Sequence, residues 1–270
     1  MRTRKRFGQH FLEPAWVSKL LDVLRPQPDD LVVEIGPGLG ALTLPLAPQV
    51  ARLIAIEIDR DLASRLARLA PPNVQVVTAD FLDTNVRALL PAASTPVRLV
   101  GNLPYNVSSP ILFRLLALAD EGRVVSDATL MLQREVADRV AAPPGGREYG
   151  VLSVLTQMRA DVTRPLVLPP GAFRPAPAVM SAVVHLAFGA PSVRVEDPVL
   201  LERMVRAAFS QRRKTLGNAL KAFAEARGVP AAEALAKAGI DARRRPETLD
   251  LRELAALTRV FASGDRPDVL

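Results

Sequence analysis

The sequence predicts an α/β domain built on a mostly parallel sheet with one antiparallel strand, followed by a small all-helical domain. Three observations carry this expectation. Short runs of branched apolar residues recur at 31–35, 53–58, 74–77, 97–100 and 129–132, with helix-like segments between them. That alternation places helices on both faces of a parallel sheet. The first run stops at a glycine cluster, Gly36-Pro37-Gly38-Leu39-Gly40, which suits a strand-to-helix turn. Beyond residue 198 the apolar spacing becomes helical and stays so.

Taken in order, residues 1–13 form a basic arm with two aromatic residues, and an amphipathic helix over 15–24 is ended by Pro26 and Pro28. After the five runs, β-like stretches at 151–162 and 181–186 complete a mixed sheet, with a proline-rich loop at 165–177 between them. Residues 189–198 (GAPSVRVEDP) read as a linker, so the domains are expected at 1–188 and 189–270. Helices are expected over 200–209, 216–223, 231–238 and 249–261.

Composition narrows the classes. The net charge of +7 over 270 residues favours a polyanionic partner or a solvated basic surface. There is no cysteine, which excludes disulfides, iron–sulfur clusters and thiol nucleophiles. The two histidines, His10 and His185, are far apart, so no metal site is expected. No apolar stretch has the length of a membrane span, and a cytoplasmic protein without membrane association is expected.

The first chemical motif is Val32-Val33-Glu34-Ile35-Gly36-Pro37-Gly38-Leu39-Gly40. Glycines there let the backbone approach a ligand closely. Seventeen residues after Gly40, Glu57 ends the second run, placed to accept from both ribose hydroxyls of an adenosine cofactor. A nicotinamide dinucleotide site would space its glycines Gly-x-Gly-x-x-Gly and seat a pyrophosphate. Here the spacing is Gly-x-Gly-x-Gly behind Glu34, whose carboxylate repels pyrophosphate and suits the cationic amino acid end of S-adenosylmethionine. After the third run, Asp80 and Phe81 offer an adenine contact, and Asp80 equally fits a helix cap.

After the fourth run stands Gly101-Asn102-Leu103-Pro104-Tyr105-Asn106. At the carboxyl edge of a parallel sheet this loop faces the cofactor. An adenine N6 lone pair is delocalised into its ring and is a poor nucleophile. Two acceptors against its hydrogens, the Asn102 side-chain oxygen and the Leu103 carbonyl, favour a pyramidal amine without a strong base. Pro104 fixes the loop, and Tyr105 supplies a flat face for an extruded base. Asn and Pro are also ordinary β-turn residues.

These residues resemble the small-subunit (16S) ribosomal RNA adenine dimethyltransferase family over nearly the whole chain. The resemblance runs from Arg4-Lys5-Arg6-Phe7-Gly8-Gln9-His10-Phe11-Leu12, through the glycine and Asn-Leu-Pro-Tyr loops, to Phe173-Arg174-Pro175-Ala176-Pro177-Ala178-Val179 and Gln211-Arg212-Arg213-Lys214-Thr215-Leu216. It implies a Rossmann-like methyltransferase fold. Gln9, His10, Leu12, Gly36, Gly38, Glu57, Ile58, Asp80, Phe81 and Asn102 would bind S-adenosylmethionine. Asn102, Leu103, Pro104 and Tyr105 would hold the target adenine, with Phe173 stacking from the other side. The family often carries asparagine where this chain has His10. The implied reaction is dimethylation of two adjacent adenosines near the 3′ end of 16S rRNA in the immature small subunit, by a monomer.

Basic clusters supply an RNA surface: Arg4, Lys5 and Arg6 in the arm, and Arg212, Arg213 and Lys214 in the small domain. Arg243, Arg244 and Arg245 form a third cluster that is equally a solvated face. Two alternatives stand beside this reading: a large-subunit rRNA adenine methyltransferase of the macrolide-resistance type, and a non-catalytic RNA-binding assembly factor. The motifs at 173–179 and 211–216 oppose the first, and the intact Glu57 and Asn102-to-Tyr105 loop oppose the second.

Overall fold

The computed structural model describes residues 10–91, 96–122, 124–189 and 193–263. Strands β1 (Phe11–Leu12), β2 (Leu31–Ile35), β3 (Arg52–Glu57), β4 (Val74–Thr78), β5 (Val97–Asn102), β6 (Val125–Gln133), β7 (Ala160–Leu168), β8 (Phe173–Arg174) and β9 (Ser181–Phe188) make two sheets. The larger has the order β4-β3-β2-β5-β6-β9-β7, and the smaller pairs β1 with β8. Strands β2 to β6 pair in parallel, and β9 is antiparallel to β6. The expected mostly parallel sheet with one antiparallel strand is therefore present. Chain direction across the sheet reverses between β2 and β5, so a crevice opens at their carboxyl ends.

Strand β2 (LVVEI) is buried at all five positions, as a central strand covered on both faces must be. Helix α1 (Pro14–Leu24) begins on a proline, whose missing N–H is no loss at a helix start. Its end is tied to the sheet by Arg98, which donates to the Leu24 and Arg25 carbonyls and pairs with Asp30 at 2.7 Å and Asp127 at 2.9 Å. This staple lies at the amino edge of β5, away from the crevice. Short helices α2 (Thr43–Leu46), α3 (Arg60–Leu69), α4 (Val86–Leu89) and α5 (Ser108–Asp120) connect the strands, and α6 (Arg134–Val140) follows β6. Asp59 caps α3 by accepting from the Asp61 and Leu62 amides.

Two expectations fail here. Residues 151–162 were expected as a strand; instead Val151–Gln157 is a helix, α7, and β7 begins at Ala160. A short run such as Val-Leu-Ser-Val-Leu-Thr has no decisive period. The local bonds decide it: Gly150 N–H donates to Ser153 Oγ, and that hydroxyl donates to the Arg139 carbonyl. The loop expected from Pro165 starts later, because β7 runs on to Leu168. A proline is tolerated there because β7 is the last strand of the sheet.

The chain divides into two compact units. One is the described residues up to Ala137 with Asp161–Gly189; the other is Asp138–Ala160 with the described residues after Gly189. The second unit thus takes in α7 as well as α8 (Pro198–Ser210), α9 (Leu216–Ala219), α10 (Lys221–Glu225), α11 (Ala231–Lys237) and α12 (Leu251–Ser263). Among the described residues no helix is long and apolar enough to cross a membrane.

Candidate active site

The crevice holds a cavity of about 290 Å³ at the carboxyl ends of β2, β3, β4 and β5. Its register explains why distant residues meet. Ile35 lies beside Ile56 and Gly101, Glu57 beside Thr78, and Asn102 beside Met131. The strands therefore end at one level, and Gly36, Glu57, Ala79 and Asn102, at or just past their ends, line the cavity. Gly101 permits this closeness, since a β-carbon there would lie 2.8 Å from the Ile35 carbonyl oxygen.

On the β2 side, Gly38 has a φ of +60°, and a β-carbon on it would meet the Phe11 ring at 3.0 Å. Its N–H donates to Glu57 Oε2 at 2.9 Å, while Glu57 Oε1 accepts from the Asp59 amide at 2.9 Å. Glu57 is thus fixed by the glycine loop it serves. Burial raises its pKa, and these two backbone bonds work against the rise. Glu34, also 3 % exposed, accepts from Thr43 Oγ1 at 2.7 Å. Its pKa is pushed up to about 7, first by burial; the Thr43 bond opposes this and the Glu57 charge adds to it.

On the β4 side, Asp80 Oδ1 accepts from the Leu82 amide at 2.9 Å within a turn, and it caps no helix, since α4 begins at Val86 with Asn85 as its cap. Asp80, the buried Phe81 and Ile58, which is 47 % exposed, all line the cavity. On the β5 side, Asn102 Nδ2 donates to the His10 carbonyl at 2.7 Å. That bond settles the amide's orientation, because the opposite one would set two oxygens against each other. Leu103 is buried and its N–H donates to the Met131 carbonyl at 3.1 Å, while Pro104 and Tyr105 are half-buried in the cavity wall.

The N-terminal segment closes the site. His10 stacks on Tyr105, with ring centroids 5.5 Å apart and 26° between planes, and its Nδ1 donates to the Pro175 carbonyl at 2.7 Å. Pairing of Phe11 with Arg174 and of Leu12 with Phe173, plus a Glu13–Arg174 ion pair of 2.9 Å, sews residues 10–13 to the 173–175 segment.

Of the residues expected to bind the cofactor, the cavity is lined by His10, Leu12, Gly36, Gly38, Glu57, Ile58, Asp80, Phe81 and Asn102. Gln9 and the arm residues Arg4, Lys5 and Arg6 lie outside the described residues. Phe173, expected to stack on the base, is fully buried in the apolar core with Leu12 and Val17 and is not among the residues that line the cavity. Burying a whole aromatic ring on this side of the α1 helix outweighs exposing it to an open cleft. Phe11, Thr43 and Ser181 were not foreseen. Thr43 follows Glu34 by nine positions and Ser181 follows Tyr105 by 76, and only the fold brings either pair together.

In the second unit, Arg212, Arg213 and Lys214 sit on the turn between α8 and α9. Arg213 and Lys214 are exposed. Arg212 donates to the Gly146 carbonyl at 3.1 Å and lies 3.9 Å from Glu247, so its guanidinium is engaged inside the unit. Arg243 is likewise paired with Asp241, and Arg244 with Glu253.

The two buried carboxylates, neither paired with a cation among the described residues, fit a ligand that brings its own positive charge, as S-adenosylmethionine does. Comparison with known proteins agrees. Residues 1–257 match the family described as ribosomal RNA adenine dimethylase. Relatives named ribosomal RNA small subunit methyltransferase A include one from Aromatoleum aromaticum, 44 % identical over 97 % of this chain and 95 % of its own. Another, from Nitrosococcus oceani, is 46 % identical over 96 % of each. Among solved structures, a dimethyladenosine transferase from Plasmodium falciparum covers 94 % of this chain and 98 % of its own at a TM-score of 0.78 and 24 % identity, a likeness of fold. The 23S rRNA methyltransferase ErmE covers 93 % and 99 % at 0.70 and 26 %. The chain belongs to the ribosomal RNA adenine dimethylase family, whose members are S-adenosylmethionine-dependent methyltransferases.

Proposed function

We propose that this enzyme methylates N6 of two adjacent adenosines near the 3′ end of 16S rRNA, to N6,N6-dimethyladenosine, acting as a cytoplasmic monomer on the immature small subunit. The observation that carries the reading is one cavity lined by both Glu57 and Asn102. Glu57 keeps lone pairs for a ribose, Glu34 faces the amino acid end, and Asp80 and Phe81 frame the adenine. The bound cofactor supplies an electrophilic methyl group.

The chain's own residues supply position. With its Nδ2 held by the His10 carbonyl, Asn102 has Oδ1 left to accept from the target amine. The Leu103 carbonyl offers the second acceptor, and Tyr105 a stacking face for an extruded base. Nothing here requires a strong base: localising the lone pair and aligning it with the methyl is enough to lower the barrier. Arg213 and Lys214, free of the intramolecular bonds that hold Arg212, would meet phosphates.

The test is transfer of labelled methyl from S-adenosylmethionine to immature small subunits, with nucleoside analysis of the RNA. Labelled N6,N6-dimethyladenosine in 16S rRNA is expected. Labelling confined to 23S rRNA would move the chain to the large-subunit specificity, and labelling of neither would favour an assembly factor.

A further inference from the structure

Tyr105 is held at two points. One face of its ring is covered by His10, too close for a base to enter between them. Its hydroxyl lies 2.7 Å from Ser181 Oγ. Ser181 is the first residue of β9 and is 1 % exposed. It pairs in register with Gln133 at the carboxyl end of β6, so the antiparallel strand delivers its hydroxyl to the edge where the catalytic loop sits. Tyr105 is its recorded side-chain partner, 76 positions away. A buried hydroxyl is costly unless it is bonded. An alanine would fill a strand start equally well, so the bond to Tyr105 is what a serine adds here.

That bond matters because the χ2 torsion of a tyrosine is broad and weakly fixed by its own backbone. The preceding Pro104 sets the course of the chain, yet the ring plane needs restraint from its far end. We propose that Ser181 is a positioning residue for methyl transfer: by holding the Tyr105 hydroxyl it fixes the ring plane, presenting the face not covered by His10 to the target adenine. The proposal rests on the reading of Tyr105 as the stacking face.

The experiment is a double-mutant cycle of Ser181→Ala, Tyr105→Phe and their combination, each assayed for methyl transfer to immature small subunits, with S-adenosylmethionine affinity measured by titration. Ser181→Ala is expected to lower kcat/KM for RNA about three- to tenfold, the rate equivalent of one neutral hydrogen bond. Cofactor affinity should stay within about twofold of the parent. Tyr105→Phe should lose a similar factor, the double variant should be no worse than Tyr105→Phe alone, and Ser181→Thr should restore the rate.

Full activity of Ser181→Ala overturns the proposal. So does an undiminished Ser181→Ala effect in the Tyr105→Phe background, which would place the effect in β9 packing. If Ser181→Ala does not fold, Tyr105→Phe reads the same bond, and full activity there overturns it. Tyr105→Ala separates the two levels: a crippled Tyr105→Ala beside a fully active Ser181→Ala removes only the Ser181 role. A fully active Tyr105→Ala removes the stacking reading itself.

Discussion

Replacing Glu34 with glutamine should stabilise the ligand-free enzyme at alkaline pH while weakening cofactor binding. Glu34 is 3 % exposed and its carboxyl titrates near 7 instead of 4.5. A carboxyl with a raised folded-state pKa contributes stability that is complete below about 4.5 and is lost as pH rises through about 7. At about 1.4 kcal/mol per pH unit of separation, the ionised form costs the fold about 3 kcal/mol above pH 8. Glutamine has no such titration, and its side-chain oxygen can still accept from Thr43 Oγ1. The difference between Glu34→Gln and the parent should therefore be smallest at pH 4, about 1 kcal/mol larger at pH 5, and about 3 kcal/mol larger at pH 8.5. Urea unfolding of both proteins without cofactor reads this difference, in which all shared titrations cancel. Cofactor affinity should move the other way. A cationic ligand favours ionised Glu34, so parent affinity should rise with pH through 7, and Glu34→Gln should lose about tenfold or more at pH 8. A stability difference that stays flat from pH 5 to 8.5 would refute the reasoning, because burial would then not be straining this carboxylate.

Three further outcomes are expected. Changing Arg213 and Lys214 together to alanine should flatten the salt dependence of RNA binding by about two in log–log slope, whereas Arg212→Ala should change stability more than slope; an unchanged slope for the pair would place the phosphates elsewhere. Arg98→Leu leaves Asp30 and Asp127 without their shared cation and should cost about 3–5 kcal/mol in urea unfolding, with cofactor affinity unaltered. Phe173→Leu should lower stability by about 1–3 kcal/mol with little change in RNA affinity; a large loss of RNA affinity at unchanged stability would instead support the base-stacking role.

The sheet and the cofactor end of the cleft were legible because their signals are local. A buried central strand such as β2 is apolar at every position but Glu34, and the turn after it is glycine-rich, so Leu31–Ile35 and Gly36 to Gly40 announce themselves. Helix α7 was not legible, since its run of seven residues carries no decisive period and its shape depends on Ser153 reaching the Arg139 carbonyl. The β1–β8 pair was hidden for another reason: two residues on each side have no pattern, and the pairing spans more than 160 positions. That same pairing buries Phe173, which a motif reading placed at the base. Charge runs were legible as clusters but not as roles, because whether Arg212 meets RNA or Gly146 is decided by the fold.

The central claim is that Asn102 acts on the target amine and not chiefly on the cofactor. Single-turnover methyl transfer to immature small subunits by Asn102→Ala, measured beside its S-adenosylmethionine dissociation constant, tests this most directly. The account predicts a rate lowered by about 100-fold or more, the usual scale for one lost transition-state hydrogen-bonding group, with cofactor affinity within about threefold of the parent. A variant that keeps its rate, or loses rate and cofactor affinity in equal measure, would contradict it.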